Sequence, residues 1–286
     1  MLQQALDFQV ESDALYELLK PLKDEDFKRK TLFKEWTINT VLQHLHFFNY
    51  AAHISLDDEE AILALLAELS ASGEKGVDMV AHTDQKLNGA NGQALLNLWH
   101  EYYTNMVVDY DGIDPKKRLK WAGPDMSVLS SITARLMETW SHAQAVYDLM
   151  GVVRQDKDHI KNVVVIGNNT FGWTFINRGE EVPQDKPFLR LTAPSGEVWD
   201  FNEPSNSNYV EGLATEFGQV VTQCRNIGDT QLKVVGDTAK KWMAVARCFA
   251  GPPRTPPPSP MKRSVLVTNP PGRPFCPMVE KSRPSP

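Results

Sequence analysis

Glu138 and His142 stand four residues apart in ITARLMETWSHAQAVYDLMG, and a third chemically competent side chain, His44, lies in VLQHLHFF. Four residues advance an α-helix by about 400°, so the carboxylate and the imidazole sit about 40° apart, one above the other. A carboxylate oxygen and an imidazole nitrogen at that spacing can reach one divalent ion. A single His from a neighbouring helix would complete three protein ligands and leave positions open for water or substrate, as a catalytic centre requires. The competing readings of the same residues are a surface pair, a hydrogen-bonded core histidine, or a buried Glu compensated by an Arg.

The elements that must position these groups are helices. Leu6, Val10, Leu15, Leu18 and Leu19 make an amphipathic pattern over residues 2–20 that ends at Pro21. Thr37 N-caps the next helix, whose stripe is Ile38, Val41, Leu45, Phe48 and Ala52. His44 flanks that stripe; His46 lies about 200° around the helix from it, so both cannot face one ion, and spacing alone does not choose between them. A short helix covers DEEAILALLAELS, and residues 73–92, with GEKG and NGANG, read mainly as loop. Leu95, Leu98, Trp99, Tyr102, Met106 and Val107 mark a further helix closed by DGIDP. The turn Gly123-Pro124-Asp125 opens the long helix that bears Glu138 and His142 and ends at Gly151. On it Leu129, Ile132, Leu136, Ala143, Val146 and Met150 form an apolar stripe, with the Glu–His pair on its flank beside Ser131, Ala134, Ala145 and Leu149. One more helical run, DHIKNVVVIGNNTFGWTFINRG, stops at Gly179.

After Pro183 the period changes. FLRLTAP and EVWDFN read as strands joined at Pro194-Ser195-Gly196. A helix (NYVEGLATEFGQVVTQCR), a strand (TQLKVVG) and a helix (DTAKKWMAVARCFAG) follow. The expected class is therefore α+β: helices over residues 1–180, a small ββαβα C-terminal domain over 187–252, and a proline-rich tail over 253–286 whose composition predicts disorder.

The formal net charge is −6, and no Lys/Arg stripe is visible, so nucleic acid is not an expected partner. No run approaches ~18 uninterrupted apolar residues, which excludes a membrane-spanning helix. The N-terminus lacks the apolar segment of a signal peptide, and Cys224, Cys248 and Cys276 have no metal-type spacing. Free thiols and a cytoplasmic location are expected.

WTINTVLQHL and, further along, RLMETWSHAQAVYDLMG resemble the metal-binding domain of the mycothiol-dependent maleylpyruvate isomerase family, within the wider DinB/YfiT-like four-helix-bundle group. FLRLTAPSGEVWDF, VVTQCR and AKKWMAVARCFAGPP are similar to an uncharacterised metal-binding branch of it. The resemblance implies a DinB-like four-helix bundle and chooses between the histidines. Trp36 to His44-Leu45 matches the family's Trp-x(7)-His-Leu element, and Glu138 and His142 match its Glu-x-x-x-His element, so His44, Glu138 and His142 are the expected metal ligands. The implied ion is Zn2+; the same set also suits another divalent metal such as Fe2+ or Ni2+. The implied activity is use of a low-molecular-weight thiol, stabilised as thiolate, on a small electrophilic substrate, giving S-transfer or cis–trans isomerisation. A non-catalytic metal- or ligand-binding protein and a metal-dependent hydrolase are the alternatives on the same scaffold. Expected partners are the small-molecule substrate and the thiol, and pairing through helix faces would give a homodimer. Arg190 and Arg225 are candidates for a substrate carboxylate only by their place at strand and helix ends.

Overall fold

The computed structural model describes residues 1–122 and 124–251. Six helices come first: α1 (Gln3–Leu19), α2 (Ile38–Ile54), α3 (Glu59–Glu74), α4 (Met79–Lys86), α5 (Gly92–Asp109) and α6 (Val128–Met150). α1 and α2 each pack against both α5 and α6, which closes a four-helix bundle. Its interior is built by side chains at helical spacing: Leu15 and Leu19 on α1, Val41 and Leu45 on α2, Leu95 and Trp99 on α5, and Ile132 and Leu136 on α6, all sealed. Each such large side chain contributes about 1.5–3 kcal/mol on burial. The apolar stripe expected on α1 is displaced, for Leu6 and Val10 are exposed and Phe8, Glu11 and Ser12 point inward instead. Glu11 is drawn there by Arg154 and His159, which a count of apolar residues does not register.

Two local expectations within the helical part are corrected. Residues 73–92 contain α4, N-capped by Asp78, whose carboxylate accepts from the Ala81 amide. Packing of α4 on α2 and α3 overrides the loop-like composition. α6 is preceded by a two-stranded ribbon, β1 (Arg118–Leu119) with β2 (Met126–Ser127), and Ser127 Oγ caps the helix by accepting from the Ser130 amide; the expected Gly123-Pro124-Asp125 turn includes Gly123, which lies outside the described residues. The run beyond α6 is broken at Thr170 into α7 (Lys161–Asn169) and α8 (Phe171–Ile176), where the Thr170 hydroxyl donates back to the Ile166 and Gly167 carbonyls.

The second layer is a four-stranded sheet with order β4-β3-β5-β6, made of β3 (Phe188–Thr192), β4 (Val198–Phe201), β5 (Tyr209–Leu213) and β6 (Lys233–Val235), with α9 (Ala214–Val221) and α10 (Asp237–Val245) packed on it. The expected ββαβα order becomes βββαβα. Residues 209–213, read above as the start of a helix, form β5, paired in parallel with β3 and antiparallel to β6. Pairing on both edges outweighs local helix preference, and Gly212, at φ +148° with no room for a Cβ beside Leu232, fits a strand and not a helix. α10 stops at Val245 because Arg247 leaves the helical path: its amide and carbonyl bond the Thr174 hydroxyl, and its guanidinium reaches Asn177 Oδ1 and the Ala250 carbonyl.

The two layers meet through α6, α7 and α9. A Cβ on Gly167 of α7 would come within 2.5 Å of Val221 on α9, so the close approach of these helices depends on glycine. Among the described residues no helix is long and apolar enough to cross a membrane. The proline-rich tail and Cys276 lie outside the described residues.

Candidate metal centre

Two bundle helices bring the three sequence-selected side chains to one point. Thr37 caps α2 by accepting from the Thr40 amide, which starts the helix in the phase that turns His44 toward α6. On α6, Glu138 and His142 face back across the groove. His44 Nε2 lies 3.1 Å and His142 Nε2 3.2 Å from the same oxygen, Glu138 Oε2. One ligand atom from each residue lies within 4.8 Å of the other two. Donors bound to one zinc at about 2.0–2.2 Å in tetrahedral geometry stand roughly 3.3 Å apart, so the two short separations are those of neighbours around a single ion. Two neutral imidazoles and a carboxylate are also the donor types such an ion takes. The residues present therefore fit a divalent metal.

The charge states suit that role. Burial alone would raise the Glu138 carboxyl, but hydrogen bonding and charge from His142 and His44 outweigh it and hold the group well below the usual carboxylate range. Burial, then the neighbouring His142, push the His44 imidazole down to about 4 against the pull of Glu138. At neutral pH His44 thus keeps a free lone pair and Glu138 its charge. His44 Nδ1 is sealed without a hydrogen-bond partner, so the ring is oriented by packing rather than by an outer carboxylate.

That packing is aromatic. Trp36 lies nearly parallel to His142, with ring centroids 5.6 Å apart, and 5.2 Å from His44; Phe33 meets His142 edge-on, and Phe48 contacts His44 at 4.8 Å. Phe33 and Trp36 are presented by a tight loop between Lys30 and Thr37, closed by the Thr31 amide on the Trp36 carbonyl at 2.7 Å. Lys34 and Glu35 at its tip adopt φ +52° and +56°, a conformation that costs about 1 kcal/mol or more for non-glycine residues and that the surrounding contacts impose. Arg29 ties this loop to the carbonyl end of α6 through the Leu149 carbonyl. The Glu138 side chain keeps 19% of its accessible surface and His142 13%, so one side of the centre remains open.

The remaining histidines are engaged elsewhere. His46 meets Tyr102 edge-on; His53 bonds Tyr102 and Asp109; His82 bonds Ser72; His100 stacks on Tyr16; His159 bonds Glu11. Neither arginine named from sequence is free for a substrate: Arg190 pairs with Asp200 on the sheet surface, and Arg225 makes a two-pronged pair with Asp148 of α6 at 2.6 and 2.8 Å. A different arginine stands at the centre. Arg135, three residues before Glu138 and seven before His142, is 5% exposed, and its guanidinium lies over the rings of Phe48 and Trp121. Its spacing on the helix was the available signal, masked because Arg is ordinarily a solvent-facing residue. The C-terminal layer adds two thiols. Cys224 Sγ lies 3.3 Å from the Ser141 carbonyl, and Cys248 is near enough to Glu138 to feel its charge.

Residues 8–147 match the family model of the mycothiol maleylpyruvate isomerase N-terminal domain. An uncharacterized protein of Mycobacterium tuberculosis, in strains H37Rv and CDC 1551, is 30% identical over 247 residues, spanning 86% of this chain and 95% of its own length. A crystal structure of the mycothiol-dependent maleylpyruvate isomerase is similar in fold, with a TM-score of 0.50 at 15% identity over 76% of this chain and 87% of that one. With the matched segment running from α1 through α6 and containing all three convergent side chains, the chain belongs to the mycothiol maleylpyruvate isomerase N-terminal domain family.

Proposed function

We propose that this protein is a metal-dependent enzyme that uses a low-molecular-weight thiol on a small electrophilic substrate, by S-transfer or cis–trans isomerisation, with His44, Glu138 and His142 holding Zn2+. The observation that carries this reading is the convergence of both imidazole Nε2 atoms on one oxygen of an ionised carboxylate at 3.1 and 3.2 Å, in a groove that stays open on one side. A zinc ion held there would supply Lewis-acid stabilisation of a thiolate at neutral pH. The chain's own residues supply the rest. His44 is kept neutral by burial, Glu138 offers its charge, and Phe33, Trp36 and Phe48 exclude water from the inner wall.

The thiol in this reading is exogenous. Burial pushes the Cys224 thiol up to about 11, and burial followed by the Glu138 charge pushes Cys248 higher, so neither supplies a thiolate at neutral pH. The name of the structurally similar isomerase, mycothiol-dependent, supports the same choice. The test is a screen of zinc-loaded protein against small unsaturated carbonyl compounds, with and without mycothiol or a simple thiol. Turnover that requires added thiol and falls at least ~100-fold in Glu138→Gln is expected. Equal turnover without thiol would favour activated water, and hence hydrolysis, over this reading.

A further inference from the structure

Among the described residues Arg135 is unusual in having no hydrogen-bond acceptor at its buried nitrogen. Its Nε is sealed from solvent with no hydrogen-bond acceptor, and its electrostatic partners, Glu138 and Tyr110, act on it through space rather than through a bond. Arg154, a nearly sealed arginine of the segment after α6, shows the contrast, since it engages Glu11, Asp156 and the Trp140 carbonyl. A sealed guanidinium nitrogen without an acceptor forfeits a charge-assisted hydrogen bond that contacts with two rings do not replace.

Its surroundings give it a direction. Arg135 lies one helical turn before Glu138 and two turns before His142, so all three project on the same side of α6. Phe48, over which the guanidinium sits at 5.7 Å, is also the ring that contacts His44, so the cation and the metal ligands share one wall. Trp121, 5.4 Å from the guanidinium carbon, closes the other side, and both rings are only half-buried. Tyr110 lies beneath, its phenol pushed up to about 12 by burial against the neighbouring Ser131 hydroxyl and the Arg135 charge, so it stays a neutral hydrogen-bonding group.

We infer that Arg135 is the anchor for a carboxylate on the small-molecule substrate, placed beside the metal centre between Phe48 and Trp121. The inference rests on the reading of the centre as a thiol-dependent metal site and adds to it one specificity-determining residue, Arg135, for an electrophile that carries a carboxylate. A planar guanidinium fork matches a carboxylate with two parallel hydrogen bonds, which a spherical cation would not select. Charge balance points the same way. A divalent ion and the Arg135 guanidinium would bring three positive charges against the one negative charge of Glu138; a thiolate and one substrate carboxylate would cancel the other two.

The experiment is isothermal titration of the full chain, zinc-loaded and metal-stripped, with succinate and with its neutral diamide, alongside Arg135→Gln and Arg135→Lys and with zinc content measured for every preparation. Wild type is expected to bind succinate and not the diamide. Arg135→Gln should weaken succinate by about 10- to 100-fold, with Arg135→Lys intermediate, and both should keep their zinc. The wild-type comparison of acid with diamide stands even where a variant fails to fold. Succinate binding unchanged in both variants, or absent from wild type in both metal states, overturns the assignment. Joint loss of zinc and succinate in Arg135→Gln also overturns it, making Arg135 a positioning residue of the metal centre. Wild type that takes up no zinc yet binds succinate through Arg135 would remove the metal reading and leave the anchor standing.

Discussion

At Glu138 a single carboxylate oxygen receives two imidazoles, and this convergence is what lifts the Glu–His spacing above an ordinary surface pair. The pair itself was legible in the sequence, because four-residue spacing on a helix needs no tertiary information. The choice of His44 over His46 was not legible from spacing, since it depends on which face of α2 meets α6. The structure turns His46 to Tyr102 and His44 to Glu138. Arg135 escaped for a different reason: a helix read for apolar periodicity assigns charged residues to water, and a guanidinium under aromatic rings breaks that rule. The two described cysteines carry a prediction at this same scale. With Cys224 raised from 9.0 to about 11, its thiolate population falls about 100-fold, and Cys248 is raised further. In a Cys276→Ser variant, a thiol reagent is expected to leave the native protein essentially unmodified and to titrate both thiols on unfolding. Rapid reaction of the native protein would contradict the exogenous-thiol argument.

The elements that hold the site are fixed by caps and by one buried ion network. Ser127 and Thr37 start α6 and α2, the helices that carry Glu138, His142 and His44. Glu11 of α1 is joined by Arg154 and His159 from the segment after α6, all three nearly sealed. Burial would raise the Glu11 carboxyl, but the Arg154 charge and the His159 bond outweigh it, and the group titrates below its ordinary 4.5. The stabilisation is therefore complete above that pH and is lost as pH falls through the depressed value. Glu11→Gln, which strands Arg154, is expected to cost about 3–5 kcal/mol near neutrality and to flatten the loss of thermal stability below pH 4.5. Denaturation midpoints across that range check it; an acid slope equal to wild type would contradict the assignment. At element scale the sequence reading succeeded for the long bundle helices and failed at β5. Tyr209–Leu213 has no local strand signature strong enough to announce itself, and its identity comes from pairing with β3 and β6, distant in the chain. α4 was hidden in the same way, by tertiary packing under a glycine-rich composition.

Across the whole molecule the C-terminal layer does more than extend the bundle. Arg225 pairs with Asp148, Gln219 donates to Gln144, and Cys224 reaches the Ser141 carbonyl, so α9 and the loop after it lie along the helix that carries Glu138 and His142. The matched family segment ends at residue 147, yet the layer beyond it approaches the candidate centre closely enough for Cys248 to sense Glu138. The α+β class and the order of helices before sheet were legible from the change of period after Pro183. The docking of the two layers was not, because it turns on contacts such as Gly167 against Val221 that no local pattern encodes. The account stands or falls on whether the three side chains hold an ion together. The most direct measurement is metal content by elemental analysis of the purified wild type beside His44→Ala and Glu138→Gln, with circular dichroism to confirm that each variant is folded. About one zinc per chain in wild type, lost from both folded variants, is the predicted result. Wild type that stays metal-free after addition of zinc or iron would contradict it, leaving Glu138 and its two histidines as a buried hydrogen-bonded cluster.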